Sequence, residues 1–164
     1  MRILGIDPGT ATVGWGVIEI IAGKIELIAY GHISTAKELA LSKRLSEISS
    51  DLKNIIDLHK PDEASVEELI FFKNQKTILS VGQARGAILL TLEEKGVIIV
   101  GYTPLQVKQA LTNYGRADKV QVQTMVKAIL KLKIIPTPDD AADALALALC
   151  HAQRRRVENI GKEV

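Results

Sequence analysis

Residues 1–33, MRILGIDPGTATVGWGVIEIIAGKIELIAYGHI, decide the fold. They hold three apolar runs rich in β-branched and aromatic side chains: RILGID, TVGWGVIEI and KIELIAYGHI. Short connections containing glycine, PGTA and AGK, separate them. Such runs joined by such turns predict an antiparallel meander of three strands. The first run ends on a carboxylate, Asp7, and a Pro-Gly-Thr turn follows at once.

The pattern then changes. Leu41, Leu45, Ile48, Leu52, Ile55 and His59 recur at helical spacing, with charged residues between them, and Pro61 closes the stretch. EASVEEL (63–69) reads as a fourth strand bearing Glu67 and Glu68. A second helix follows over 73–96 and stops at Gly96. VIIVGYT (97–103) is a continuous apolar run, as expected of a parallel strand covered on both faces. Three helical segments complete the chain: PLQVKQALTNYG from Pro104, ADKVQVQTMVKAILKL, and TPDDAADALALALCHAQRRR. In the last, Thr137 is the expected N-cap and Pro138 the first helical residue. The order predicts an α/β protein: a five-stranded mixed sheet, three antiparallel strands and then parallel ones, with helices on both faces. One domain over 1–155 and a short charged tail over 156–164 are expected.

Composition narrows the function. The 164 residues are 47% apolar and carry a net charge of +2, so a nucleic-acid partner would need the basic residues gathered on one face. The single cysteine, Cys150, lies in an apolar stretch and suits a reducing compartment. No secretory leader or membrane-length apolar segment stands out, so a cytoplasmic protein is expected.

The chemistry lies in the carboxylates. Asp7 ends the first strand, Glu67 and Glu68 occupy the fourth, and Asp139, Asp140 and Asp143 crowd the start of the last helix. Successive strand residues face opposite sides, so only one of Glu67 and Glu68 can join Asp7. Asp140 and Asp143 are three apart and Asp139 and Asp143 four apart; spacing does not choose between the pairs. Carboxylates gathered in one place repel unless protonated or neutralised by a cation. Hard oxygen donors without sulfur or imidazole favour magnesium or manganese. Two such ions about 3.5–4 Å apart suit phosphoryl transfer.

GIDPGT with GWGVIE, VEELIFFKN, VGQARG, VKQALTNYGRADKVQVQTMV and DDAADALALALCH resemble, in that order, the RuvC-type crossover junction endodeoxyribonucleases, or Holliday junction resolvases. The resemblance implies a ribonuclease H-like fold, a homodimer and paired, symmetric cleavage of a four-way DNA junction in recombination and repair. It implies Asp7, Glu67, Asp140 and Asp143 as ligands of two Mg2+ ions, with Mn2+ able to substitute, and leaves Asp139 as a helix-end charge. Lys119 is the expected catalytic cation. Lys108, Lys119 and Arg116 are expected to contact DNA, as are Lys73 and the apolar residues Ile70, Phe71 and Phe72, where the family usually places a phenylalanine at the position of Ile70. Arg85 is expected to be structural or to lie on the dimer surface. Docking to a branch-migration complex is implied by the resemblance alone.

Rival readings are a non-cleaving junction-binding scaffold, a nuclease for another branched or RNA-containing substrate, and a nucleotide-binding protein of the actin, hexokinase and Hsp70 type. The last needs a second phosphate loop and a second lobe, for which this sequence has no room.

Overall fold

A computed structural model describes residues 1–69 and 75–160, with backbone alone for residues 75–77 and 157–160. The strands are β1 (Arg2–Asp7), β2 (Thr12–Ile21), β3 (Lys24–Ser34), β4 (Glu63–Glu67) and β5 (Ile98–Tyr102). The helices are α1 (Leu41–His59), α2 (Gln75–Glu94), α3 (Pro104–Thr112), α4 (Lys119–Ile129) and α5 (Asp139–Ile160).

The strands form one sheet in the order β3-β2-β1-β4-β5. The meander pairs antiparallel, whereas β1–β4 and β4–β5 pair parallel. The expected mixed sheet is therefore present, with β1 at its centre. Alternation divides the strand side chains between two cores. Ile3, Ile18 and Tyr102 pack with α3, α4 and α5 on one face. Leu4, Ile6, Val17, Ala64 and Val66 pack with α1 and α2 on the other.

Helix α5 lies unusually close to the sheet, because β1 and β2 present glycines to it. A Cβ on Gly5 would stand 1.9 Å from the Ala144 carbonyl oxygen, and one on Gly16 would stand 2.5 Å from Leu145 Cδ2. Isolated glycines within strands commonly mark such a backbone approach.

Three local expectations change. β4 ends at Glu67, so Glu68 lies beyond the strand; its amide still donates to the Tyr102 carbonyl at 2.8 Å. β5 is parallel and packs on both faces as expected, Val100 and Tyr102 against one core and Ile99 against the other, although it stands at the sheet edge and Ile98 is 61% exposed. α3 ends at a left-handed Asn113, two residues before Gly115; asparagine tolerates that conformation. α5 starts at Asp139, with Pro138 just outside it: the Pro138 carbonyl accepts from the amides of Ala141 and Ala142. The helical backbone of α5 continues to Ile160, beyond residue 155.

Candidate active site

The end of β1, the end of β4 and the first turns of α5 meet at one edge of the sheet. Ile6 pairs with Val66, which sets Asp7 and Glu67 side by side at the carboxyl ends of adjacent parallel strands. Asp7 is also paired across the sheet with Gly14. Because Gly14 has no side chain, α5 closes over it: a Cβ there would lie 1.9 Å from the Asp140 carbonyl oxygen. The glycine thus admits the start of α5 next to Asp7. Asp143, one turn further on, faces the same edge.

The electrostatics reflect this convergence. Burial, then the charges of Glu67, Asp143 and Asp140, push the Asp7 carboxyl up to about 8, with Lys119 opposing. Burial and Asp143 push Glu67 up, again against Lys119. Asp143 is raised by burial and by the charges of Asp139 and Asp140, while the hydrogen bond and charge of Lys119 oppose the shift. A carboxylate cluster with partly buried members favours either protons or a cation.

Lys119, the first residue of α4, supplies a cation. Its Nζ lies 2.9 Å from Asp143 Oδ2 and 3.2 Å from Asp139 Oδ2. Burial lowers the Lys119 pKa, but the hydrogen bonds and charges of Asp143 and Asp139 outweigh that and raise it. A capping box starts α4 at this point: Asp118 accepts from the Gln121 amide at 2.8 Å, and Gln121 Oε1 accepts from the Asp118 amide at 2.9 Å. Asp139 stands outside the cluster. It is exposed and held by Lys119 and by Gln123 Nε2, which donates at 3.3 Å.

Among the described residues, no three His, Cys, Asp or Glu side chains are grouped so as to hold a metal ion as they stand. The donor chemistry nevertheless fits a hard divalent cation. The clustered groups are carboxylates held up by burial and by one another's charge, a strain that a hard divalent cation among them would relieve. A cleft of about 200 Å³ opens beside them, lined by Glu67, Asp143, Lys108, Lys119 and the apolar side chains of Val107 and Leu147, among others. Lys108 reaches this cleft from α3. Arg116 is exposed in the α3–α4 connection. Ile70, Phe71, Phe72 and Lys73 lie outside the described residues.

One contact escaped the sequence reading. Arg85 Nε, from α2, donates to the Glu67 carbonyl oxygen at 2.9 Å. Nothing in the local sequence pairs these residues, which lie 18 positions apart. The strand glycines opposite α5 did carry a readable signal, since glycine within a strand is costly unless something must come close.

A central strand ending in a carboxylate, a parallel neighbour ending in a second and a helix bringing further ones define a ribonuclease H-like protein with an acidic site. The family description "Crossover junction endodeoxyribonuclease RuvC" matches residues 3–151. A protein so named from Petrotoga mobilis is 54% identical over 162 residues, covering 98% of this chain and 99% of that protein. The Thermus thermophilus RuvC structure superposes with a TM-score of 0.89 at 37% identity, covering 96% of this chain and 97% of that one. The same Thermus protein in complex with a Holliday junction substrate gives a TM-score of 0.91, again at 37% identity, with 96% of each chain covered. The chain belongs to the RuvC family of crossover junction endodeoxyribonucleases, which are metal-dependent nucleases.

Proposed function

We propose that the chain resolves four-way DNA junctions by hydrolysing two symmetry-related phosphodiesters. Asp7, Glu67, Asp140 and Asp143 would hold two Mg2+ ions, with Mn2+ able to replace them. The observation that carries this reading is the convergence of Glu67, Asp143 and Asp140 on a buried Asp7, whose carboxyl is pushed up to about 8 first by burial and then by their charges. A non-cleaving scaffold has no use for such a concentration of negative charge, because it repels the DNA backbone.

Bound divalent cations would supply Lewis-acid chemistry, lowering the pKa of a coordinated water and stabilising the leaving oxygen. The chain's own groups do the rest. Asp7 and Glu67, fixed by adjacent strands, set one wall of the site, and Asp140 and Asp143 set the other. Lys119 exchanges its contact with Asp143 for the phosphate and offsets the charge that builds up on it. Lys108, lining the same cleft, binds the backbone on the approach, and exposed Arg116 extends the basic surface. Ile70, Phe71, Phe72 and Lys73 are proposed to probe the junction, by family resemblance. In-line attack by water leaves 5′-phosphate and 3′-hydroxyl ends, which a ligase can seal.

A two-fold junction calls for two sites, and we infer a homodimer. The exposed stripe of α2 supports this: Leu79 and Leu90 are 70% and 61% exposed, and Gly82 and Gly86 between them leave the helix flat. A single nuclease unit over 1–155, a tail over 156–164, a cytoplasmic location and docking to a branch-migration complex complete the proposal. Among the described residues, no helix is long and apolar enough to cross a membrane.

The test is incubation with a mobile four-way junction, a linear duplex and an RNA–DNA hybrid, with and without Mg2+. Paired nicks confined to the junction are expected. Binding without cutting, or cutting of the hybrid instead, would overturn the reading. Light scattering of the free protein tests the dimer.

A further inference from the structure

A second cluster of polar side chains lies in the core, at the far end of the elements that carry the carboxylates. His151 is 1% exposed, Glu63 5% and Tyr102 2%. His151 Nε2 meets Glu63 Oε2 at 2.5 Å, and His151 Nδ1 meets the Tyr102 hydroxyl at 2.7 Å. Arg155 Nη2 lies 2.9 Å from the other Glu63 oxygen. His151 thus bridges the Glu63 carboxylate and the Tyr102 hydroxyl through its two ring nitrogens, and the Arg155 guanidinium lies against the same carboxylate.

The spacing makes this cluster relevant to the active site. Glu63 and Glu67 are the two ends of β4, four strand steps or about 13 Å apart. Asp143 and His151 lie eight residues apart on α5, about 12 Å along the helix. The two segments therefore match in length. The pair His151–Glu63 and the pair Asp143–Glu67 are the two rungs of one ladder. Tyr102, opposite Glu67 in the β4–β5 register, reaches down to the lower rung. The stretch between the rungs is smooth. Ser65, midway along β4, is fully buried and its hydroxyl has no hydrogen-bond partner among the described residues. Facing α5 residues there are alanine and leucine. Apolar packing there is close but non-directional, so it specifies the axial position less sharply than a hydrogen bond does. The strand glycines set how closely α5 approaches; a directional bond sets where along the strand it rests.

We propose that His151 is a positioning residue for the reaction. By bridging Glu63 and Tyr102, it fixes the axial register of α5 against β4, and with it the separation of Asp143 from Glu67. Misplacement by about 1 Å can cost on the order of 100-fold in rate, so a slipped α5 impairs the chemistry while leaving the DNA-binding surface in place. The proposal rests on the metal-nuclease reading above.

The test compares His151→Leu, His151→Gln and Tyr102→Phe with the wild-type protein. His151→Gln keeps an N–H donor for Glu63. Tyr102→Phe keeps the ring and frees Nδ1. Two readouts are taken besides junction affinity: the single-turnover cutting rate, and the Mn2+ concentration giving half the maximal rise in melting temperature without DNA. His151→Leu is expected to cut at least 10-fold more slowly, with a Mn2+ midpoint raised at least 5-fold and junction affinity within 2-fold of wild type. Tyr102→Phe should fall between the two, and His151→Gln within 3-fold of wild type. Unchanged rates and midpoints in Tyr102→Phe and His151→Leu would overturn the proposal, as would a loss of junction affinity at an unchanged Mn2+ midpoint. If His151→Leu does not fold, Tyr102→Phe decides by the same readings. A wild-type protein that fails to cut junctions defeats the functional reading instead, and the Mn2+ midpoints still judge His151.

Discussion

A Cβ on Gly14 would sit 1.9 Å from the carbonyl oxygen of Asp140, and Gly14 is the residue paired with Asp7. The neighbouring atom is backbone within the first turn of α5, so it cannot swing aside as a side chain would. Gly14→Ala must push the start of the helix away from the strand. Overpacking against backbone costs about 3 kcal/mol or more, and the displacement carries Asp140 and Asp143 off the site. Urea unfolding should show the loss of stability, and the Mg2+ dependence of junction cutting should show at least a 100-fold loss of activity.

This contact also shows what could be read beforehand. The meander was legible from apolar β-branched runs joined by glycine-containing turns, and α1 from a helical period that persists over its 19 residues. Asp7, Glu67 and Asp143 were legible as carboxylates in apolar surroundings. The edge position of β5 was not, because a short apolar run does not reveal whether one strand or two will pair with it. Pairings such as Glu63 with His151, 88 residues apart, leave no trace in local sequence. Choosing Asp140 over Asp139 needed the family resemblance. The structure separates them physically, placing Asp140 over Gly14 and Asp139 outward against Lys119.

Asp7 sets the pH response of the cation-free protein. Its carboxyl titrates near 8 in the fold, against 3.8 as the ordinary value. The folded state therefore holds a proton that the unfolded chain releases, and this group's contribution to stability is lost as pH rises from about 4 through 8. Asp7→Asn removes that loss. In EDTA the variant should exceed the wild type by about 2 kcal/mol at pH 8, after allowance for partial exposure, and match it near pH 4. Mg2+ should raise the melting temperature of the wild type far more than that of Asp7→Asn. The variant should bind junctions and not cut them. Thermal melts across pH, with and without Mg2+, check the sign.

Lys119 bonds Asp143 at 2.9 Å with its ammonium half exposed, so it is free to move when a phosphate enters. Lys119→Met should cut about 10²-fold more slowly, since it loses one charge-assisted contact to the transition state. Junction affinity should fall less than 5-fold, because one phosphate contact among many is removed. Loss of the ammonium also leaves Asp143 with less to oppose its burial, so the carboxyl should titrate still higher in the variant. Single-turnover rates and gel-shift affinities separate the two effects.

Arg85 ties Glu67 to α2, the helix whose exposed stripe supports the dimer proposal. A second bond, from Thr10 Oγ1 to Ser80 Oγ at 3.2 Å, ties the turn after Asp7 to the same helix. Both strand ends that carry these carboxylates are thus anchored to one surface. Arg85 uses Nε–H, which lies along the side chain and has no counterpart in lysine. Arg85→Lys should therefore fail to restore what Arg85→Met loses. Both should cut about 10-fold more slowly, as a carbonyl hydrogen bond to a charged donor is worth about 1.5–3 kcal/mol and its loss loosens Glu67. The dimer should persist in both, since Gly82, Gly86, Leu79 and Leu90 remain. Light scattering alongside cutting assays distinguishes this from a dimer defect: if Arg85→Met becomes monomeric, the residue serves the interface and not Glu67.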